Sequence, residues 1–331
     1  MEKLRKQIRR IEQSPVYADV KNGVKKGLKE KLFSVFRFVI ILGISYVILA
    51  PVIGLVSSSF FSNADAYSPT VFTIPMAPTL ERYQRAIVHL KYLPTLGRTM
   101  LFSISLTLIQ LMVCSMAGYG FARFRFPLKK LLFACVVVMI VIPSYTIMLP
   151  LYVTFRDFDP LGLVTLLTGA PINLMGTTWP VYIMTGLGCG LRSGLFIYIF
   201  NQFFRGLPRE IEEAAFVDGA GTWYTYFRIM LLNAMPAVIT VSVFSLVWQY
   251  NDTFFGRLFL ISNNVLLSKR VSSLQVNIRT LDKIMDPSIQ QLYVSAGIVL
   301  LMLPMVILYL LLQKKFVESV ERSGIVGGNK R

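Results

Sequence analysis

The sequence is poor in charged residues for its length. Only 15% of its 331 residues are charged, whereas 54% are hydrophobic. A soluble domain usually carries roughly a quarter of charged residues. Too little polar surface is therefore available to cover a soluble core of this size. The composition excludes an ordinary soluble domain and predicts an integral membrane protein.

Cysteine and histidine, the usual residues of metal and catalytic centres, are scarce. Cys114, Cys135 and Cys189 each lie in an apolar run, and none has a partner at metal-ligand spacing. A disulfide framework and a zinc site are therefore not expected. The single histidine, His89, cannot by itself build a histidine metal site or a hydrolytic triad. We expect no metal and no cofactor in this chain.

The sequence also lacks an energy source of its own. The phosphate-binding pattern G-x-x-x-x-G-K-[ST] is absent, and the chain has no Gly-Lys dipeptide. Acidic residues fall in loops, in tails or at the ends of apolar runs, so no intramembrane proton relay is indicated. No clustered catalytic set occurs either, which argues against a membrane enzyme. If the protein transports actively, a partner supplies the energy.

Long apolar runs are what the chain does contain. A membrane-crossing helix needs about 20 such residues, and the runs predict an all-α, polytopic membrane protein with six transmembrane helices. The predicted spans cover about 36–61, 96–122, 131–154, 177–204, 232–252 and 290–313. We predict a basic lead-in over 1–35, one membrane domain over 36–313 and a tail over 314–331.

Basic residues predict the orientation of these spans. If the N-terminus is cytoplasmic, about two-thirds of the 34 Lys and Arg side chains lie on the cytoplasmic side, as the positive-inside rule expects. Both termini are then cytoplasmic. The net charge of +17 is accordingly interpreted as a topology signal, and no nucleic-acid partner is expected.

The cytoplasmic loop 205–231, here called the docking loop, has the pattern of an interaction element. Acidic residues occupy the early turns of a predicted helix, where the helix dipole favours anions. Residues with mostly small side chains share one narrow face of that helix: Ile211, Ala214 and Ala215. Gly219 and Gly221 permit a sharp reversal. The loop is predicted to form a short helix-turn-helix that another surface can approach closely.

The docking loop resembles the EAA signature of permeases from binding-protein-dependent ABC importers. The matching residues are Glu213-Ala214-Ala215, Gly219, Ile229 and Leu231. The triplet Asp218-Gly219-Ala220 is similar to the carbohydrate branch of that family, as are the runs 118–127, 203–208 and 324–328. The resemblance to the maltose-type sugar permease subunit extends over about residues 35–331.

This resemblance implies a six-helix subunit that forms half of a translocation pore. Its partners would be a second permease subunit in a heterodimer, two ABC ATPase subunits that use ATP and Mg²⁺, and an extracytoplasmic solute-binding protein. The substrate would be a carbohydrate, with an oligosaccharide expected, and the location a bacterial-type inner membrane in contact with lipid. The implied ATPase-coupling residues are Glu213, Ala214, Ala215, Asp218, Gly219 and Ala220.

Two further features are candidates for a substrate pathway. Trp248-Gln249-Tyr250-Asn251, at the predicted external end of the fifth span, combines aromatic faces with amides; an interfacial aromatic belt gives the same pattern. Arg192 lies in an apolar stretch flanked by glycines, either in a cavity near the midplane or at the external end of its helix.

The alternative function is an ATPase-independent secondary transporter or channel.

Overall fold

The computed structural model describes residues 15–71, 73–260 and 266–326, with side chains for 31–71, 73–260, 266–311 and 313. Helices account for the regular structure of the described residues, and no β-strand forms among them. The predicted all-α class is confirmed. Parts of the predicted lead-in (1–14) and tail (327–331) lie outside the described residues.

The chain divides into two compact units, 1–78 and 79–331. The helices of the first unit are α1 (Pro15–Ser58) and α2 (Asn63–Tyr67). Asp65 organises the segment around α2, because its carboxylate accepts hydrogen bonds from the backbone N–H groups of Ser62, Met76 and Ala77. A capping box between Ser62 and Asp65 starts the short helix.

The second unit contains the rest of the described helices. The first of these are α3 (Glu81–Leu90), α4 (Tyr92–Arg123), α5 (Lys129–Val141), α6 (Met148–Arg156), α7 (Leu163–Thr168), α8 (Trp179–Gly186) and α9 (Ser193–Gly206). They are followed by α10 (Glu210–Val217), α11 (Thr222–Tyr224), a π-helical turn (Thr225–Met230), α12 (Leu231–Asn233), α13 (Met235–Asn251), α14 (Phe254–Phe259), α15 (Leu267–Ser272), α16 (Leu274–Leu281) and α17 (Pro287–Val326). Short 3₁₀ turns cover Ser144–Ile147 and Pro160–Gly162.

Several of these helices are long and apolar enough to cross a membrane. In the described part of the chain they are Lys31–Ser58, Tyr92–Arg123 and Pro287–Leu311. Two bent pairs also pass the test: Lys129–Val141 with Ser144–Arg156, bent by 105°, and Thr222–Asn233 with Met235–Phe259, bent by 78°. The protein is therefore a multi-pass membrane protein, whereas the number of six spans stays a prediction.

The bend after α5 has a local cause. Ile142 has an extended backbone (φ −65°, ψ 122°) and directly precedes Pro143. A proline ring disfavours helical backbone in the residue before it. The predicted span 131–154 is consequently two helices with a sharp corner.

The prediction of one continuous helix over 177–204 is wrong. The structure has α8 and α9, separated by residues 187–192. Gly188 has a φ of 73°, which favours glycine. A Cβ on Gly190 would lie 2.5 Å from Thr185 Oγ1, so this turn also needs the missing side chain. Arg192 ends the break with a φ of 59°, and the glycines around it therefore interrupt the helix.

The long helix α4 contributes to two separate apolar clusters. One cluster includes Cys114, Tyr119, Phe196, Phe200, Phe204, Tyr226, Met230 and Val241. The other includes Phe102, Leu106, Phe155, Val181, Met184 and Phe259. Within the first cluster α4 and α9 approach very closely, since a Cβ on Gly118 would lie 2.5 Å from the Cβ of Phe200. The two helices can approach this closely because residue 118 is a glycine and has no side chain.

Candidate functional site: the docking loop and the helix break

The docking loop folds as a helix, a turn and a second helical segment, as predicted. Its first helix, α10, ends in a reversal at Gly219, which has a φ of 81°. The Gly219 N–H donates to Phe216 O (3.1 Å) and the Ala220 N–H donates to Ala215 O (2.9 Å). These two bonds define a Schellman ending. Gly221 has a φ of −71°, so the reversal depends on Gly219 alone.

A buried acidic residue attaches α10 to the end of α4. Glu212 is only 8% exposed. Its Oε1 accepts a hydrogen bond from the Tyr119 hydroxyl (2.6 Å), and its Oε2 lies 3.0 Å from Arg123 Nε. Arg123 Nη2 in turn donates to the carbonyl of Leu207 (2.9 Å). Together these four residues form what we call the charged anchor.

Aromatic packing extends this attachment to the second half of the docking loop. The ring centroid of Tyr119 lies 5.1 Å from that of Tyr226 and 5.3 Å from that of Phe204. The hydroxyl groups of Tyr226 and Ser115 share a hydrogen bond of 2.6 Å. The π-helical turn and the end of α9 therefore pack on the same helix as α10 does.

The six predicted coupling residues do not share one face. The exposed members are Glu213, Ala214, Asp218 and Gly219. Ala220 is half-buried, and Ala215 is 5% exposed. Ala215 therefore faces the interior of its own protein.

The predicted docking face of small residues is wrong in its direction. Ile211 packs against the core cluster and Ala215 is buried, so two of its three members face inward. The small side chain at 215 lets α10 lie close to its own helices. The outward surface instead includes Ala214, Phe216 (47% exposed) and Val217 (86% exposed).

The structure brings Arg192 and Trp248 together, which the sequence did not indicate. The guanidinium carbon of Arg192 lies 5.6 Å from the Trp248 ring centroid. Trp248 also stacks with Phe196 and Phe244, at 5.5 and 5.4 Å between centroids. Arg192 is exposed and borders a cavity of about 280 Å³ whose walls are mainly apolar side chains around the helix break and α5.

The other three candidate pathway residues make contacts within the helices. Gln249 Nε2 donates to Gln110 Oε1 at 3.4 Å. The Tyr250 hydroxyl donates to the carbonyl of Leu301 (2.9 Å), and Asn251 Nδ2 donates to the carbonyl of Val247 (3.0 Å). Helix packing thus explains the positions of Gln249 and Tyr250, which are buried, whereas Asn251 is exposed and bonds within its own helix.

A buried amide on α4, which sequence reasoning missed, holds the helix break. Gln110 Nε2 donates to Leu191 O (2.7 Å) and to Ser193 Oγ (2.9 Å). Ser245 Oγ donates to Gln110 Oε1 (2.6 Å). Gln110 and Ser245 are fully buried. We call this set the amide network; it joins the start of α9 to α4 and α13.

The described residues contain no group of three or more His, Cys, Asp or Glu side chains that could hold a metal ion. The candidate functional sites are the anchored docking loop and the cavity beside Arg192. The first has an exposed outward surface on α10, and the second has a guanidinium at the border of an open space.

Known proteins with similar sequences are transport permeases. The diacetylchitobiose uptake system permease protein NgcG of Streptomyces coelicolor is 24% identical over 293 residues, 88% of this chain and 89% of that protein. The maltodextrin transport system permease protein MdxG of Bacillus subtilis is 24% identical over 286 residues, 86% and 93% of the two chains. The arabinooligosaccharides transport system permease protein AraQ of Halalkalibacterium halodurans is 24% identical over 306 residues, 91% and 100%.

The fold is also that of a solved transporter subunit. A chain from the crystal structure of a bacterial ABC transporter involved in the import of the acidic polysaccharide alginate matches with a TM-score of 0.67 and 19% identity. The match covers 87% of this chain and 98% of that chain. The sequence profile of the binding-protein-dependent transport system inner membrane components matches residues 110–322. This protein therefore belongs to the family of binding-protein-dependent transport system inner membrane components.

Proposed function

We propose that this chain is one of two permease subunits of an ATP-driven importer for a carbohydrate, with an oligosaccharide as the expected substrate. Relatives of nearly equal length are permeases for diacetylchitobiose, maltodextrin and arabinooligosaccharides, which supports the substrate class. A solute-binding protein delivers the sugar. Two ATPase subunits hydrolyse ATP with Mg²⁺ on the cytoplasmic side.

The charged anchor is the observation that carries this proposal. A docking helix transmits force only if it is attached to the helices that move. The ion pair between Glu212 and Arg123 and the hydrogen bond from Tyr119 to Glu212 provide such an attachment to α4. A displacement of α10 by a partner is thereby passed to a helix that extends for 32 residues.

The outward surface of α10 is the proposed contact with the ATPase. Glu213 and Asp218 provide negative charge, and Phe216 and Val217 provide exposed apolar side chains. A partner groove with an apolar floor and a basic rim fits this combination. Ala215 and Glu212 support the helix from behind.

The Arg192 side chain is proposed as a substrate-pathway group. Packing against Trp248 directs the guanidinium to the cavity border. A guanidinium carries several N–H donors, which suit the hydroxyl oxygens of a sugar. Trp248 acts in this proposal by positioning Arg192.

The competing function is a secondary transporter or channel without an ATPase. That function gives no role to an anchored helix with an exposed acidic and apolar surface. The absence of a nucleotide-binding motif in the sequence is compatible with both functions. ATP dependence therefore separates them.

The test starts with the full chain, tagged and purified with its partners from its own membrane. We expect an ATPase to co-purify and vesicle uptake of labelled oligosaccharides to require ATP. Val217→Asp should reduce ATPase co-purification and uptake at least tenfold. Val276→Asp, a matched change at another exposed valine, should leave both unchanged. Uptake without ATP, or equal behaviour of the two variants, would contradict the proposal.

The proposed orientation, with both termini cytoplasmic, has its own test. A reporter active only in the cytoplasm is fused after Lys130 or Lys315, where signal is expected, and after Ser68 or Ser272, where none is expected. The opposite pattern would reverse the orientation and place the docking loop outside.

A further inference from the structure

Four basic side chains meet where α4, α5, α9 and α10 come together. They are Arg125, Lys129, Arg205 and Arg209, here called the basic cluster. Arg123 Nη2 donates to the carbonyl of Leu207 (2.9 Å), which holds the segment with Arg205 and Arg209 against the end of α4, next to Arg125 and Lys129. The three arginines are close enough to repel the charge of the Lys129 ammonium. The cluster therefore brings together residues that are up to 84 positions apart in the chain.

Contacts of the surrounding backbone and rings explain why these cations converge. Lys129 Nζ donates to the carbonyl of Phe124 (2.7 Å), which closes the loop between α4 and α5. The rings of Phe121 and Phe133 lie 5.5 Å apart, and those of Phe133 and Tyr198 lie 6.3 Å apart. The helices α4, α5 and α9 therefore lie side by side, and their ends gather at this point.

The positive charge of the basic cluster is not neutralised by the described protein. Among the described residues, no carboxylate forms an ion pair with any of its four members. The buried carboxylate of the neighbouring Glu212 is already paired with Arg123. Arg125, Arg205 and Arg209 are exposed and Lys129 is half-buried. Four like charges held together favour the binding of an anion.

Apolar side chains are exposed directly beside the cations. Leu128 is 69% exposed and has a φ of 60°, a conformation that a leucine rarely adopts. Phe126 and Leu131 are exposed as well. Because Lys129 begins an apolar helix, the cations lie at its end and the apolar surface extends away from them along the helix. The surface changes from basic to apolar over a few residues.

We propose that the basic cluster and its neighbouring apolar side chains bind one anionic phospholipid. Guanidinium groups match phosphate oxygens in charge and geometry. Basic pockets between membrane helices are suited to anionic headgroups, and exposed apolar side chains at that depth contact acyl chains. An acidic protein surface would satisfy the cations and leave Leu128 and Leu131 without an apolar partner.

The test measures lipid retention by the purified full chain in detergent, using native mass spectrometry. Dioleoylphosphatidylglycerol is the probe, and dioleoylphosphatidylcholine is the zwitterionic control. Each basic residue near an anionic surface contributes about fivefold in affinity. The double variant Arg125→Gln/Arg205→Gln should therefore weaken phosphatidylglycerol binding about 25-fold. The matched variant Arg156→Gln/Arg279→Gln removes the same charge at exposed arginines outside the cluster and should weaken it less than threefold.

A second variant tests the apolar part of the site. Leu128→Asn removes the apolar side chain. Asparagine tolerates positive φ, so the backbone at this position is not strained by the change. It should weaken phosphatidylglycerol binding about fivefold, and soluble glycerol 1-phosphate should not displace the lipid at equal concentration. The thermal midpoints of the variants, measured in the same detergent, should equal that of the unchanged protein.

Three outcomes would overturn this proposal. One is equal retention of the two lipids by the unchanged protein. Another is displacement of the lipid by glycerol 1-phosphate, which would indicate a free-phosphate site. The third is normal lipid retention in Arg125→Gln/Arg205→Gln together with lost ATPase co-purification, which would assign the basic cluster to a protein partner.

Discussion

The charged anchor and the amide network attach α4 to neighbouring segments by different chemistry. The anchor, at the last residues of α4, uses a carboxylate and a guanidinium 3.0 Å apart. The network, centred thirteen residues earlier on the same helix, uses only amide, hydroxyl and carbonyl groups around Gln110. Charges in the interior of a membrane are far more costly than uncharged polar groups. The charged contact therefore lies at the end of α4, and the uncharged contacts lie within its length.

The two attachments also hold different kinds of irregular backbone. The anchor secures the loop that carries α10, the proposed contact with a partner. The network satisfies Leu191 O and Ser193 within a helix break. Non-helical backbone at membrane depth is tolerated when protein groups satisfy it. Gln110 is thus a buried partner that satisfies the backbone of the break, while the glycines determine its shape.

The largest expected effect is at the charged anchor. Glu212→Gln removes the partner of a buried guanidinium, and breaking such a pair costs about 3 kcal/mol. Glu213→Gln is the matched change at an exposed neighbour and should alter stability by less than about 0.5 kcal/mol. Unfolding of both variants in detergent is compared with that of Arg123→Gln and the double variant. Additive losses from Glu212→Gln and Arg123→Gln would exclude coupling between the two charges.

A smaller effect is expected at the amide network. Gln110→Leu leaves the Leu191 carbonyl and two hydroxyl groups without their amide partner, at a cost of about 1–2 kcal/mol. Gln249→Leu removes only a long contact of 3.4 Å and should cost less. The measurement is resistance to unfolding in mixed detergent, with cysteine labelling of Cys189 to report on the break. If Gln249→Leu is the more damaging variant, Gln110 is not the centre of the network.

Gly219 determines how firmly the end of α10 is held in the docking loop. Gly219→Val places a β-branched residue at a φ of 81°, which costs roughly 1–2 kcal/mol. Open space surrounds the site, so the cost comes from backbone strain. Gly219→Asn, which tolerates positive φ, should lose much less. Hydrogen exchange across 210–221 measures the loosening of α10, and equal exchange in the two variants would refute the strain argument.

The smallest effect is expected at Arg192. Its interaction with the Trp248 ring is worth about 0.5–1 kcal/mol. A double-mutant cycle of Arg192→Gln and Trp248→Leu should recover this coupling in stability. The proposed pathway role predicts a larger loss of uptake for Arg192→Gln than for Trp248→Leu. Normal uptake in both variants would leave Arg192 with a structural role only.

Helical class, membrane location and the docking loop were predictable because each depends on local patterns. Long apolar runs require helices in a bilayer, and the α10 reversal depends on a glycine at 219 that needs no distant partner. The helix break at 187–192 could be predicted only in part. Its glycines were noted, but the residue that satisfies the interrupted backbone, Gln110, lies on another helix and could not be identified from the local pattern.

The residues that hold the docking loop were not predictable from the sequence. Glu212 was one of three similar glutamates in an acidic first turn, and only the neighbouring Ala215 on the same helix face hinted at its burial. Tyr119 and Arg123 are about ninety positions away in the chain. The direction of α10 depends on which face packs against α4, and a small side chain permits close approach to either partner.

Composition and local spacing were enough to establish that this protein is helical, lies in a membrane, reverses its docking loop at Gly219 and does not contain the phosphate-binding pattern G-x-x-x-x-G-K-[ST]. These properties follow from composition and from spacings of a few residues. The packing of the helices was needed to show that Glu212 faces inward to Arg123, that Gln110 supports the helix break, and that Arg192 contacts Trp248 beside a cavity. Each of these contacts joins residues more than 50 positions apart, and packing of whole helices brings them together.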